Sequence, residues 1–220
     1  MSSEFKSQLI TRRSTSRGVR AVDTHVELLI PRRPAVPVNS NVTVKRAMHV
    51  LEAIGFTLEP QIAAHAQEMF AVLSDPAIYE YENEPPTSID SLRARFTRLE
   101  SRRSPDGQEQ WLNWAIRLPT SELIGYVQAT VHASGRAAIA YELSSAYWGR
   151  GLASRAVRAM ISELAGRYQV RTLTAVFKRE NQRSMRLLER LGFSLASPEE
   201  HVKRDVEPGE LLMNRESFCP

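Results

Sequence analysis

The chain has 220 residues, with 29 Lys and Arg against 25 Asp and Glu and a hydrophobic fraction of 42%. This fits one ordinary domain with a tail, or at most two small ones, with enough apolar material for a sizeable core. No stretch approaches the roughly 18 consecutive apolar residues of a membrane span, and the single cysteine, Cys219, excludes an internal disulfide framework and a cysteine zinc site and fits a reducing, cytosolic setting.

Charge is unevenly placed along the chain. Residues 1–47 hold nine basic and three acidic residues, a net +6, which leaves 20 basic and 22 acidic, a net −2, for residues 48–220. Pro31, Pro34 and Pro37 suit an extended, poorly ordered or surface-lying arm, not a helix. The first twenty residues are rich in Arg and Ser, a composition shared with organelle transit peptides, and no hydrophobic signal core precedes a cleavage site. Met48 opens the domain-like sequence, 48–220, and is a candidate natural start of translation. The arm carries one aromatic residue, Phe5, so nucleic acid is not an expected partner.

In the body, Ile62, Ala66, Met69, Phe70 and Leu73 recur at helical spacing and predict an amphipathic helix that Asp75-Pro76 ends. A second helix follows Pro85-Pro86, capped by Thr87 or Ser88, with Leu92, Phe96 and Leu99 inward. The period then becomes two: Leu112, Trp114, Ile116 and Leu118 alternate with Asn113, Ala115 and Arg117, which predicts a half-buried strand. Turns at Pro119-Thr120-Ser121 and Ser134-Gly135 separate it from strands over 123–131 and 137–143. A Gly-rich turn over 144–151 then leads into a long helix with Ala153, Val157, Met160, Ile161 and Leu164 on one face, and Gly166 stands near its end, where a positive φ is often needed. A strand over 171–177, a short helix over 182–191 stopped by Gly192, and two strands around a polar loop, 198–209, complete the body. The pattern is a mixed α/β layer fold with antiparallel strands first and one parallel crossover in the second half.

One segment has chemistry written into its position. Trp148-Gly149-Arg150-Gly151-Leu152-Ala153 lies between a strand and a helix N-terminus, where unpaired backbone N–H groups and the helix dipole favour phosphate. Gly149 and Gly151 would let a pyrophosphate approach the backbone, and Arg150 adds a permanent cation. The alternative is an ordinary tight turn with a surface arginine. The spacing fits neither the nucleoside-triphosphate nor the dinucleotide fingerprint, and the five histidines show no metal-ligand spacing.

This turn, with Tyr141-Glu142-Leu143 before it and Glu180-Asn181-x-x-Ser184 and Leu191-Gly192-Phe193 after it, resembles the GNAT superfamily of acetyl-CoA-dependent N-acetyltransferases, and within it the branch of the ribosomal-protein N-acetyltransferases. The resemblance covers about residues 52–217 and takes in Ser74-Asp75-Pro76 and Trp114-Ala115-Ile116. It implies a central, mostly antiparallel sheet of six to seven strands, helices on both faces, and a splayed strand pair that receives acetyl-CoA. The family's phosphate signature is matched at Gly151 and Ala153, while Trp148 stands where Gln or Arg is usual.

The same resemblance implies that amides from about Gly149 to Ser154 (Arg150, Gly151, Leu152 and Ala153 between them) hold the pyrophosphate, that backbone groups around Glu142–Ser144 pair with the pantetheine, and that a backbone N–H near Leu143 polarises the thioester. Glu142 is the implied base, acting directly or through water; the bland alternative is that it orders a loop or binds the acceptor's cation. Asn181 would bond pantetheine or a site water, or simply cap a helix, or both. Ser184 would contact the cofactor or donate a proton to the leaving thiolate, or merely pack as a small residue. Many family members carry a tyrosine acid seven residues after the Asn181 position, and here Leu188 stands there. Tyr79, Tyr81, Glu82 and Glu84 lie where the family has the rim of its acceptor cleft, and would attract a cationic amine. The expectation is therefore a cytoplasmic enzyme, a monomer or homodimer without metal or membrane partner, that transfers acetyl from acetyl-CoA to a primary amine. Its rival is a non-catalytic acyl-CoA sensor of the same fold.

Overall fold

The computed structural model describes residues 47–81 and 84–216, so apart from Ala47 the basic arm lies outside the described residues. Eight strands form one sheet: β1 (Leu51–Ala53), β2 (Phe56–Pro60), β3 (Glu109–Arg117), β4 (Leu123–His132), β5 (Arg136–Leu143), β6 (Thr172–Lys178), β7 (Ser194–Leu195) and β8 (Glu210–Glu216). Their spatial order is β1-β2-β3-β4-β5-β6-β8-β7. Every neighbouring pair is antiparallel except β5 with β6, which is parallel. The sheet exceeds the expected six to seven strands through β1 and β7, edge strands of 3 and 2 residues.

Five helices cover it: α1 (Ala66–Val72), α2 (Ile89–Leu99), α3 (Leu152–Gly166), α4 (Gln182–Arg190) and α5 (Pro198–Lys203). α2 begins where expected, because the Ser88 hydroxyl accepts from Ser91 N–H at 3.0 Å while Ser88 N–H donates to Ser91 Oγ at 3.1 Å. Leu92, Phe96 and Leu99 of that helix are buried. α5 was expected as loop; Ser197 caps it and Glu200 reaches back to the Ser197 N–H. Gly166 is the last residue of α3 and does not take a positive φ; Gln169 does, at 54°.

The core has two layers. Ala66, Met69, Leu73, Leu92 and Phe96 pack with Trp111, Ala115, Leu123 and Tyr126 on one face of the sheet, and Val157, Met160, Leu164 and Leu188 pack with Leu112, Trp114, Ile116 and Val127 on the other. β3 is therefore covered on both sides, not half-buried as its alternation suggested: Asn113 and Ala115 are as inaccessible as Trp114. A residue as small as alanine can fill an inner position when a helix layer lies against it.

β5 and β6 pair over three positions only, Arg136↔Thr172, Ala137↔Leu173 and Ala138↔Thr174. Past Ala138 and Thr174 the pairing ends, toward the end of β5 that leads into α3. Among the described residues no helix is long and apolar enough to cross a membrane, and no group of three or more His, Cys, Asp or Glu is placed to hold a metal.

Candidate functional site

The turn from β5 into α3 is built by backbone conformation. Gly149 and Gly151 have φ of 75° and 72°, the left-handed region that L side chains avoid. A Cβ at either would meet no atom within 4 Å. Their necessity is conformational, and the space before them is open. Gly151 is the N-cap of the 15-residue α3 and supplies no side-chain acceptor, and no acidic residue lies in the first turn. The first N–H groups of α3, at Leu152, Ala153 and Ser154, therefore face an electropositive opening that suits an anion. Arg150 is exposed beside it, with its guanidinium 5.2 Å from the Tyr147 ring.

Trp148 braces this turn. Its indole N–H donates to the carbonyl of Leu143 at 2.9 Å, tying the end of β5 to the turn. The Arg183 guanidinium lies 4.3 Å above the ring and pairs with Glu80 at 3.7 Å. Arg183 is on the first turn of α4, so the turn before α3, α4 and the segment before α2 meet at this point. Tyr81 is at the same point and hydrogen-bonds with Glu80, which raises its phenol's pKa. Glu84 is exposed, and Glu82 lies outside the described residues.

Glu142 faces the α1–α2 layer. Tyr126, directly opposite on β4, hydrogen-bonds with its carboxylate. Tyr79 and Arg95 are close enough to exert charge effects in the same cluster. Desolvation first, and the Glu142 charge second, raise the pKa of both Tyr79 and Tyr126, so both phenols stay protonated. The Tyr79 hydroxyl donates to the Leu73 carbonyl at 2.7 Å. Among the described residues, the buried Arg95 Nε has no hydrogen-bond partner. Asp75 ties this layer to the turn after β5: one carboxylate oxygen accepts from Ala77 N–H at 3.0 Å and the other from Ser145 N–H at 2.9 Å. Hydrogen bonds from Ser145 are the chief cause holding the Asp75 carboxyl below its ordinary pKa.

At α4, Asn181 is the N-cap, its side chain accepting from Ser184 N–H at 3.0 Å. Ser184 is half-buried on that first turn. Leu188 is 1% exposed and sits in the core. The geometry thus brings Tyr79 to Glu142 and Tyr81 to the Arg183–Trp148 pair. Tyr126, Arg95 and Arg183 escaped the sequence reading, since strand and helix periodicity mark which residues are inward but not which carboxylate they meet.

Against known proteins, the acetyltransferase (GNAT) domain family matches residues 46–194. The chain is 28% identical over 162 residues to the uncharacterized N-acetyltransferase p20 of Bacillus licheniformis, covering 73% of this chain and 88% of the relative. It is 26% identical over 150 residues to the uncharacterized N-acetyltransferase YoaA of Bacillus subtilis (strain 168), covering 66% and 82%. Among solved structures, the ribosomal L7/L12 alpha-N-protein acetyltransferase RimL, in complex with coenzyme A, superposes with a TM-score of 0.65 at 16% identity, covering 76% of this chain and 97% of that one. The ribosomal-protein-S5-alanine acetyltransferase of Vibrio fischeri does so with 0.62 at 15% identity, covering 78% and 99%. At such identities the structural likeness shows the fold alone.

Proposed function

The chain belongs to the acetyltransferase (GNAT) domain family, and from that premise we propose that it transfers the acetyl group of acetyl-CoA to a primary amine, of a protein or peptide N-terminus or a small molecule, with both substrates bound together. The observation that carries this reading is the turn with left-handed Gly149 and Gly151, opening an uncapped α3 beyond the end of the β5–β6 pairing. The residues fit the donor: the open space before the two glycines admits a pyrophosphate to the amides of 149–154, and the end of the β5–β6 pairing leaves a slot for an extended arm. Bound acetyl-CoA supplies an activated thioester.

The chain's own groups supply the rest. An ammonium has no lone pair, so the acceptor must lose a proton before attack, and Glu142 is the base for it, directly or through one water. The backbone N–H of Leu143 stabilises charge that grows on the carbonyl oxygen. Leu188 offers no hydroxyl, so the departing sulfur takes its proton from Ser184 or water. Asn181 fixes the turn that carries Ser184, through the cap described above. Holding donor and acceptor side by side removes much of the entropic barrier. Over one turnover a C–N bond replaces a C–S bond, and the ammonium gives up two protons, one to the CoA sulfur and one to solvent.

Buried Leu188 favours one alternative, a non-catalytic acyl-CoA sensor. Glu142→Gln separates the two. As an enzyme base, Glu142 contributes about 100- to 10,000-fold, so the variant should lose at least about 100-fold in kcat with acetyl-CoA affinity nearly intact. Unchanged kcat in that variant would remove Glu142 from the chemistry.

A further inference from the structure

The reading of Glu142 as base leaves open what holds its carboxylate in place and in its charged form. Two phenols lie near it, and they are not equivalent. The one hydrogen of Tyr79 is committed to the Leu73 carbonyl at 2.7 Å. Tyr126 is directly across the β4–β5 ladder from Glu142 and hydrogen-bonds with it.

A break in the β3–β4 register lies just before Tyr126. Leu123 and Tyr126 both pack in the α1–α2 layer, although residues three apart on a regular strand face opposite ways. Ile124 and Val127 both pack in the α3 layer. The β3–β4 register slips where Ile116 pairs with Gly125 and Arg117 with Leu123, leaving Ile124 extra. Such a bulge interrupts the alternation along β4, so Leu123 before it joins Tyr126 after it on the α1–α2 side, while the unbroken β4–β5 pairing sets Tyr126 on the same face as Glu142. Gly125 completes the device. Its φ is 150°, and a Cβ there would overlap the Glu142 carbonyl oxygen and lie 2.8 Å from the Leu143 Cα. β4 therefore presses on the backbone of β5 at the residue that carries the carboxylate.

We propose that Tyr126 is the positioning residue for Glu142, donating a hydrogen bond that keeps the carboxylate in one orientation and in its proton-accepting form. This rests on Glu142 being the base. Tyr126 is 5% exposed, and burial together with the neighbouring carboxylate disfavours its phenolate, so it remains a donor through the working pH range. Among the described residues, the charged or titratable groups round the pair include Arg95 from α2 and Tyr79 and Asp75 from the turn before it. Arg95 supplies a positive charge to the cluster. A hydrogen bond to the ionised form lowers a carboxyl's proton affinity, so losing the donor must raise it.

The test is a carboxyl titration by ¹³C NMR on the full chain labelled at glutamate, with the Glu142 signal identified by its loss in Glu142→Gln. Tyr126→Phe keeps the ring and should raise the Glu142 midpoint by about one pH unit, tenfold in proton affinity. The acid limb of kcat/KM with a peptide amine should move up equally, while KM for acetyl-CoA stays level. Replacing Tyr126 with 3-fluorotyrosine, a stronger donor that keeps the shape of the site, should move the midpoint down, and it provides the decision if the phenylalanine variant folds poorly. The same midpoint in wild type and the folded variants would overturn the proposal. A wild type that acetylates no amine would instead overturn the base reading, and the carboxyl titration would still decide for or against the Tyr126 contact.

Discussion

Gly151 can be tested against a matched glycine elsewhere in the chain. Gly107, in the turn before β3, has φ of 71° against 72° for Gly151, and a Cβ at either would meet nothing within 4 Å. Alanine in left-handed geometry costs about 1–2 kcal/mol at each site. For a domain of this size each kcal/mol lowers Tm by about 2–4 °C, so both Gly151→Ala and Gly107→Ala should melt roughly 2–8 °C below wild type in calorimetry. Their behaviour toward acetyl-CoA should differ. A methyl on Gly151 would occupy the space through which a phosphate reaches the α3 amides, and isothermal titration should show at least about tenfold weaker binding, or ~1.4 kcal/mol. Gly107→Ala should bind as wild type does. Equal affinity in all three proteins would refute the phosphate assignment, and equal loss in both variants would reduce it to a stability effect.

Gly125→Ala should be far more severe than either, because the clash is with two backbone groups of β5 that have no rotamer to yield. A loss above about 4 kcal/mol is expected, read as failure to give a cooperative melt. Leu188→Tyr would place a hydroxyl in the core at a position 1% exposed; overpacking costs about 1–3 kcal/mol, and the variant should melt earlier without gaining turnover. His65 provides a pH test. Burial is the chief cause of its lowered pKa, with Arg117 adding to it and Glu59 opposing, and its Nδ1 accepts the Ile62 N–H at 3.3 Å. The unfolded chain then binds the proton more readily than the native one, so this contribution is complete above the unfolded value of about 6.5 and falls as pH drops below it. Tm should decline between pH 7 and 5, and the decline should be shallower in His65→Gln.

Much of this fold was legible because it depends on local signals. Ser88 as a cap, the stripe Leu92-Phe96-Leu99, the turns at Ser121 and Gly135, and the glycines before α3 each act within a few residues of themselves. α5 had such a signal too, Ser197-Pro198-Glu199-Glu200, whose cap and third-position glutamate spell a helix start. What stayed hidden depends on pairing. Ala115 and Asn113 look like an outer face until α1 and α2 are known to cover them. Tyr126 would have been placed beside Ile124 by simple alternation, which the slip at Arg117 and Leu123 breaks, and its place opposite Glu142 depends on the β4–β5 register. Arg95 lies on a helix whose inward stripe is apolar, and its relation to Glu142 depends on how α2 crosses the sheet. Asn181 shows the opposite case: its role as a cap follows from its own neighbours and was open to reading in the sequence.

Acetyl transfer itself is tested most directly by following thiol release from acetyl-CoA with the full chain across a panel of peptide N-termini and small primary amines. Release that depends on an acceptor, with mass spectrometry showing one acetyl group on that acceptor's amine, is the predicted result. No acceptor-dependent release, together with no acetyl-CoA binding by titration, would contradict it.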